Sequence, residues 1–409
     1  MILHPKLNKK NPKINRVIIL LFLFTGFSQV ELFSYRPTDF ILIIAFFLLV
    51  IKDKFTAVPA FVFFVFSFLY AYIMGGFNGP QTLITKIIVF SILFKLVQLL
   101  SVCSLFEIKK YLIYFNYSMF LSNFIALYCF FNPEFKEIVA DSSYSGLRMK
   151  GFFTQPNGYS YVLLLNAPIA LYFLINKKNI FNIFNVIITI ICMIMAQSRG
   201  AILSLIIGLI IVYLIYLLRS GEFKKYIFPI TSIITILYLG LFILPTTLHN
   251  QFGINLSRLN KVSSNHERNI NDMKVKNIDE DRFYLAKAGI ETISEYPFGL
   301  GFRDNYHMII GELTGVYLIP HNYFLGIILR YGLILGLCWL IIIALLLTKG
   351  IVLLFKEKIS PHHLFFHLTS MMIMIFLFYF SHSSDWSYFF FLIAFYIALL
   401  RNKKLRNSK

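Results

Sequence analysis

The chain has 409 residues, of which 58% are hydrophobic and 14% are charged, and its mean hydropathy is +0.73. Soluble globular proteins carry about 25% charged residues, so this composition excludes an ordinary soluble enzyme, and the 18% of aromatic residues exclude a disordered chain. The formal net charge is +19, but the basic residues lie in short clusters between apolar runs, which is typical of membrane topology signals and not of nucleic-acid binding. We therefore predict an all-α protein, a polytopic membrane helical bundle.

Apolar segments with roughly the ~20 residues that a bilayer-spanning helix needs follow one another along the chain. They cover residues 17–34, 36–51, 55–74, 82–106, 111–131, 158–176, 180–197, 200–218, 226–244, 323–348, 362–380 and 386–400. The sequence therefore predicts about twelve transmembrane helices; the number is approximate because the second and the last segment are short. A basic N-terminal stretch precedes the first segment, as in a signal peptide, but no small-residue cleavage site follows that segment. The segment is therefore predicted to be retained as a span.

The distribution of lysine and arginine predicts the orientation in the membrane. If the N-terminus is cytoplasmic and the segments alternate, every cytoplasmic segment carries two or more basic residues and the short external loops carry few, whereas one long external segment (245–320) carries eight basic and nine acidic residues. This pattern obeys the positive-inside rule. It predicts an even number of spans with both termini in the cytoplasm.

Residues 245–320 form a long polar segment that this alternation places on the external side. Its charge is close to neutral, and external segments of this length usually carry function or form a small cap. We therefore divide the chain into membrane helices 1–9 (residues 1–244), the large external loop (245–320), and membrane helices 10–12 with the cytoplasmic tail (321–409).

The external loop contains a predicted amphipathic helix. Acidic residues 279–281 precede an apolar pattern at helical spacing over residues 282–294, and acidic residues favour a helix start. Pro297 and the glycines that follow it are expected to end the helix. The apolar positions of the pattern are Phe283, Ala286, Ile290 and Ile293.

Charged residues at the membrane boundary are costly and are therefore candidates for function. Arg199 lies in a short polar hinge between two apolar spans, Arg282 opens the amphipathic helix, and His321 follows Pro320 where the loop re-enters the membrane. A neutral histidine in a first helical turn, where the helix dipole disfavours imidazolium, can act as a general base. Each residue also has a purely structural interpretation: an arginine that reaches the headgroups, a surface ion pair with a neighbouring carboxylate, and an interfacial or capping histidine.

Further candidates lie outside this group. Arg148 precedes a turn that enters a span near Asn157, which predicts either a structured site turn or a plain loop with a helix cap. Arg330 is expected in a broken helix that faces a cavity. Lys95 lies near mid-membrane and needs a partner, whereas Lys86 can reach the outer boundary.

No metal site or cofactor is expected. His363 and His367 are four residues apart, but no acidic third ligand lies near them. The four cysteines all fall inside apolar runs without metal-ligand spacing.

The short motifs follow one another in a recognisable order. Ser198-Arg199-Gly200 opens a span, Arg282 precedes Pro297-Phe298-Gly299-Leu300-Gly301, and His321-Asn322-Tyr323 is followed by Arg330-Tyr331-Gly332. With the earlier Arg148-Met149-Lys150-Gly151-Phe152 and Pro156-Asn157, this order resembles the O-antigen ligase/polymerase superfamily of bacterial integral-membrane glycosyltransferases. The arrangement of about twelve spans with a large external loop before the histidine is also similar to that family.

The resemblance implies a metal-independent glycosyltransferase of the bacterial inner membrane, with its active site on the external side and an undecaprenyl-diphosphate-linked oligosaccharide as donor. It implies that Arg199 and Arg282 bind the diphosphate and that His321 activates or positions the acceptor hydroxyl. The candidate substrate-binding residues are Arg148, Asn157, Arg303, Asn322 and Arg330. The expected partners are membrane lipids, other polysaccharide-assembly proteins and a glycan acceptor, which is either a lipid-linked repeat unit or lipid A-core; no nucleic acid is expected.

Two alternatives stay open beside the preferred interpretation, an O-antigen polymerase. The polymerase is preferred because Pro297-Phe298-Gly299-Leu300-Gly301 and Pro156-Asn157 look more like that branch, and an O-antigen ligase is the first alternative. A transporter or flippase of lipid-linked oligosaccharide is the second. Transporters place ionisable residues at the midplane of two similar halves, whereas here only Lys95 lies clearly deep and no halves are recognisable.

Overall fold

The structure is a computed structural model that describes residues 12–23, 37–51, 59–77, 80–141, 147–153, 155–220, 268–270, 273–275, 278–303, 306–315, 320, 322–357, 359–380 and 390–402. It is mostly helical, at 83%, with almost no strand among these residues. This agrees with the predicted all-α class.

Helices and two short hairpins follow one another in chain order. Before residue 155 they are α1 (Pro12–Leu23), α2 (Pro37–Ala45), α3 (Pro59–Met74), α4 (Pro80–Leu100), α5 (Leu105–Phe131), the single turn α6 (Lys136–Val139), β1 (Ala140–Asp141) and β2 (Arg148–Met149), with Phe46–Ile51 continuing α2 as a π-helix. After it they are α7 (Pro156–Asn176), α8 (Ile180–Met195), α9 (Arg199–Ser220), β3 (Arg268–Ile270), β4 (Met273–Val275), α10 (Ile278–Glu295), α11 (Tyr306–Thr314), α12 (Tyr323–Lys356), α13 (Leu364–Tyr379) and α14 (Phe390–Arg401). Both hairpins are antiparallel, β1 with β2 and β3 with β4.

The helix starts follow from local sequence. Helices α1, α2, α3, α4 and α7 all begin at a proline, whose fixed φ and missing N–H suit the first helical position. Ser104 and Glu107 form a capping box at the start of α5, which satisfies two otherwise unbonded donors.

Among the described residues, five helices are long and apolar enough to cross a membrane: α4, α5, α7, α9 and α12. Every other predicted segment overlaps a shorter helix, apart from residues 226–244, which lie outside the described residues. The chain is thus a helical membrane protein, and the count of about twelve spans stays a prediction.

Contacts between helix ends agree with the alternating directions predicted from the sequence. At one end of the bundle the side-chain amide of Asn176, the last residue of α7, donates to the carbonyl of His362, just before α13, at 3.1 Å. At the other end Tyr161, near the start of α7, and Tyr379, the last residue of α13, have their hydroxyl oxygens 3.1 Å apart. We call this second end the site end; there α7, α9 and α12 begin and α3, α8 and α13 finish.

A buried polar ladder joins α5, α8 and α7 inside the bundle. The Asn185 amide donates to Asn116 Oδ1 at 2.7 Å, the Thr189 hydroxyl donates to the Asn185 carbonyl at 2.7 Å, and the Asn166 amide donates to Thr189 Oγ1 at 2.9 Å. Such bonds are typical of packed membrane helices, where water is not at hand to satisfy the polar groups.

Helix α12 is broken at Gly332, whose φ of 79° and ψ of 171° are not helical. The predicted span 323–348 is therefore not continuous, because a short part (323–331) precedes the break and a longer part (333–356) follows it. The longer part has the ~20 residues that a crossing needs. The broken helix predicted at Arg330 is confirmed.

Residues 297–301 of the external loop bond the backbone groups that the break releases. Three main-chain hydrogen bonds make this connection: Leu300 N–H to the Leu329 carbonyl at 2.7 Å, Gly301 N–H to the Arg330 carbonyl at 3.1 Å, and Leu333 N–H to the Pro297 carbonyl at 2.8 Å. Buried backbone groups in a membrane protein must be satisfied internally, and the segment supplies these partners. The close approach requires glycine at the break, since a Cβ on Gly332 would lie 2.6 Å from the Phe298 carbonyl oxygen.

The same loop segment is bonded to the end of α3. The Phe302 N–H donates to the Ala71 carbonyl at 2.9 Å, and the Tyr70 hydroxyl donates to the Phe298 carbonyl at 2.8 Å. The external loop is therefore joined to the bundle at both α3 and α12.

Helix α10 confirms the predicted amphipathic helix and its end before Pro297, and Ile293 of the predicted apolar pattern packs against the buried cluster, but Ile290 does not. Ile290 is 58% exposed, whereas Leu285, Ala288 and Thr292 are buried. The buried face packs on the short part of α12, and a Cβ on Gly289 would lie 2.8 Å from Pro320 Cγ. Close packing against that proline selects small side chains, which a search for large apolar residues does not detect.

Candidate functional site

Arg199 is the first residue of α9 and is half-buried at the site end. The residues before it form a tight turn after α8, in which Ala196, Gln197 and Ser198 are buried. Gln197 has a φ of 51°, a left-handed conformation that is uncommon for residues other than glycine. The turn fixes the place at which the Arg199 side chain leaves the backbone, as the sequence predicted for a short hinge.

Arg148 lies against this turn. Its Nε donates to the Ala196 carbonyl at 3.1 Å, and its Nη2 lies 3.5 Å from the Gln197 carbonyl and 2.9 Å from Asn157 Oδ1. The Arg148 side chain is 3% exposed. The structure thus brings Arg148 and Asn157, which are 9 residues apart in the sequence, together with the turn before Arg199, which begins 48 residues after Arg148.

Asn157 is the second residue of α7, so it lies at a helix start as predicted. It is not the N-cap: that position is held by Gln155, which makes no capping side-chain bond. The Asn157 side chain instead accepts the hydrogen bond from Arg148.

Three tyrosines connect α7 to the start of α12. Tyr161 and Tyr379 are bonded through their hydroxyls, and the ring of Tyr323 stacks on Tyr379 with 4.1 Å between the centroids. All three side chains are buried. These contacts between the three tyrosines were not predicted, because apolar runs with frequent aromatic residues do not indicate which rings meet.

Asn322 is the N-cap of α12. Its Oδ1 accepts from the Phe324 and Leu325 N–H groups at 2.9 and 3.1 Å, and its amide lies 3.4 Å from the Phe380 carbonyl. The helix therefore begins at Tyr323, three residues after Pro320, which was expected at its start. His321 itself lies outside the described residues.

The backbone of Arg282 belongs to α10, and its side chain lies outside the described part of the chain. Gly289 of the same helix packs on Pro320, the residue before His321. Seven residues of helix separate Arg282 from Gly289, which is roughly 10 Å along the axis. The helix that carries Arg282 thus lies against the segment that carries His321.

Arg303 and Arg330 flank the loop segment that meets α12. Arg303 Nη2 donates to the Met74 carbonyl at 3.3 Å, and the Arg330 guanidinium lies over the Phe302 ring at 5.8 Å, a cation–π distance. Both predicted site residues therefore lie at the junction of α3, α12 and the external loop.

Other residues noted in the sequence have structural surroundings. Lys86 and Lys95 are buried within α4. His363 caps α13, accepting from the Phe365 N–H at 3.1 Å, and His367 Nε2 lies 2.7 Å from the Pro361 carbonyl. Within the described ranges, no group of three His, Cys, Asp or Glu residues is arranged to hold a metal ion.

The O-antigen ligase family model matches residues 184–340. This range contains Arg199, Arg282, His321 and Arg330, and the match supports the O-antigen ligase/polymerase superfamily, which confirms the resemblance inferred from the order of the motifs. The comparisons with curated proteins and with solved structures gave no significant match. The family points to a membrane glycosyltransferase of the ligase/polymerase type, with lipid-linked glycan substrates.

Proposed function

With this family as the premise, we propose that the chain is an O-antigen polymerase, which joins undecaprenyl-diphosphate-linked repeat units at the outer face of the bacterial inner membrane. The family match carries the glycosyltransferase part of the proposal, because residues 184–340 include both arginines and the histidine assigned to the chemistry. The motifs at residues 297–301 and 156–157, which look more like the polymerase branch, favour the polymerase. Both termini lie in the cytoplasm in this proposal, and the site end faces outward.

Arg199 and Arg282 bind the diphosphate of the donor. A guanidinium offers paired N–H donors in a fixed fork that matches phosphate oxygens. Because the charge of the leaving group increases as the glycosidic bond breaks, the two cations stabilise the transition state without a metal ion. The contacts of the turn before Arg199 and of the helix that carries Arg282 support their meeting at the site end.

His321 acts as the general base. It accepts the proton of an acceptor sugar hydroxyl while that oxygen attacks the anomeric carbon of the donor. The bond from this carbon to the diphosphate oxygen breaks, the polyprenyl diphosphate leaves with the electron pair, and the anomeric configuration inverts. A positioned base contributes about 10²–10⁴-fold to the rate.

An O-antigen ligase is the second candidate, favoured by the description of the matching family. The two functions share donor, leaving group and base, and they differ in whether the acceptor is another lipid-linked repeat or lipid A-core. A transporter of lipid-linked oligosaccharide is the third candidate.

A reconstituted transfer reaction tests the proposal. Purified protein in detergent, with no sealed compartment, is given lipid-linked repeat units alone or together with lipid A-core, and the glycan products are separated by size. Elongated lipid-linked glycan from repeat units alone supports the polymerase. Product that forms only with lipid A-core identifies a ligase, and a complete lack of transfer under both conditions favours the transporter.

The same assay tests His321. The substitution His321→Ala is expected to lower turnover about 10²–10⁴-fold, whereas His307→Ala, a matched histidine in α11 of the same loop, is expected to retain it. Full activity of His321→Ala would show that the base is elsewhere.

A further inference from the structure

Arg148 is buried among protein acceptors, although the resemblance predicted that it binds the substrate. Its guanidinium is bonded to the Ala196 and Gln197 carbonyls of the turn after α8 and to Asn157 Oδ1 of α7. A guanidinium carries five N–H donors in a rigid fork, so a single side chain spans three acceptors on two separate elements. With 3% of its surface exposed, it offers little surface to a substrate.

The turn is bonded back to the strand that carries Arg148. The side-chain amide of Gln197 donates to the Leu147 carbonyl at 3.0 Å, one residue before Arg148. The left-handed φ of Gln197 is a strained conformation that persists only where the surroundings hold it. The turn is therefore held in two ways: Arg148 donates to its backbone carbonyls, and its Gln197 side chain donates to the Leu147 carbonyl.

Arg199 directly follows the turn, as the first residue of α9. Its backbone position therefore depends on the conformation of residues 196–198, and an error of about 1 Å in the position of a binding group is enough to weaken its effect strongly. We infer that Arg148 is a positioning residue, which fixes the 196–198 turn and thereby aims the Arg199 guanidinium at the donor diphosphate. This assignment rests on the proposed function of Arg199, and it replaces the substrate-binding role predicted for Arg148.

A positioning residue is expected to respond to substitution differently from a residue that contacts the diphosphate. Lysine keeps the charge at position 148 but has one nitrogen, which cannot reproduce the fork. Arg148→Lys is thus expected to leave the fold intact and to let the turn relax. Because the diphosphate is charged before the reaction begins, a misplaced Arg199 is expected to raise the KM for the donor more than it lowers kcat.

A double-mutant cycle tests this coupling. The variants are Arg148→Lys, Arg199→Ala and the double variant, with kcat and the KM for lipid-linked repeat units measured in detergent and the unfolding temperature of each protein recorded. Arg148→Lys is expected to raise the donor KM about tenfold in the wild-type background and less than about twofold where Arg199 is already alanine, since coupled residues are not additive. Lys150→Ala, two residues from Arg148 in the same segment, is the matched control and is expected to leave the KM unchanged.

The results distinguish a positioning role of Arg148 from direct binding of the substrate by Arg148. An equal rise of the KM in both backgrounds, or no rise in either, overturns the positioning role while leaving Arg199 as a diphosphate ligand. If Arg199→Ala by itself has wild-type kinetics, the proposed function of Arg199 fails instead.

Should Arg148→Lys not fold, Asn157→Ala removes one of the three acceptors at the half-buried start of α7 and leaves the arginine in place. It is expected to raise the donor KM about two- to fivefold, again only where Arg199 is present. A wild-type KM in Asn157→Ala, or an equal rise without Arg199, overturns the inference.

Discussion

The hydroxyl oxygens of Tyr161 and Tyr379 lie 3.1 Å apart between α7 and α13. The Tyr379 ring also stacks on the ring of Tyr323 at the start of α12. Since α7 also carries the Asn157 that Arg148 holds, the tyrosine pair joins the neighbourhood of Arg199 to the segment that contains His321. The two halves of the candidate site are thus connected through the interior of the bundle.

Tyr379→Ala is expected to lower the free energy of unfolding by about 3 kcal/mol, because it removes a large buried ring, and to reduce glycan transfer by loosening the start of α12. Tyr379→Phe keeps the ring stack and loses the hydroxyl pair, so a smaller loss of about 0.6–1.7 kcal/mol is expected. Thermal unfolding in detergent and the transfer assay measure both effects. Tyr128→Phe, at a side chain 60% exposed, is the control, and an equal loss of transfer in both Tyr379 variants would contradict the role assigned to the stack.

Gly332→Ala is expected to destabilise the protein by about 2–4 kcal/mol, because a Cβ at this φ is strained and would meet the Phe298 carbonyl. Gly326→Ala, in the short part of the same helix, is a matched control. A Cβ there has no neighbour within 4 Å, so alanine is expected to be neutral or to stabilise by about 0.5–1 kcal/mol. Equal unfolding temperatures for the two variants would show that the contact between residues 297–301 and α12 contributes little.

Sequence patterns predicted the features of this fold that depend on neighbouring residues. The hinge before Arg199, the broken helix at Arg330 and the end of α10 before Pro297 are each determined by local turn and helix preferences. The motif order also predicted the family, because each motif is short but their succession is specific.

Features that depend on tertiary packing were not predictable. Ile290 was assigned to the apolar face of α10 but is 58% exposed, whereas Gly289 next to it allows the close approach to Pro320. The burial of Arg148 was not predicted, since a single sequence does not show which carbonyls a distant arginine meets. The start of α12 was predicted from Pro320, yet the Asn322 side chain caps the helix, and capping depends on a bond formed only in the folded chain.

Asn185→Ala is expected to lower the free energy of unfolding by about 0.6–1.7 kcal/mol, which runs from the average to the largest value for an interhelical hydrogen bond in a membrane protein, because it removes the 2.7 Å bond to Asn116. Ile187→Ala on the same helix is the control, since that side chain is 46% exposed on the outside of the bundle. Unfolding in detergent by heat or denaturant measures the difference. A greater loss for Ile187→Ala would show that lipid-facing contacts outweigh the buried ladder.

Arg199→Ala and Arg282→Ala are each expected to weaken binding of undecaprenyl diphosphate at least about tenfold, and the lysine variants are expected to bind with intermediate affinity, because lysine keeps the charge but loses the paired donors. Two matched controls separate this effect from a general change in charge. Lys287→Ala removes a cation from the exposed face of α10, where Lys287 pairs with Glu291 at 3.7 Å, and Arg219→Ala removes one from the opposite end of α9. Both controls are expected to bind as the wild type does. If Lys287→Ala weakens binding as much as Arg282→Ala, the effect comes from the net charge of the loop, and the specific contact between Arg282 and the diphosphate is wrong.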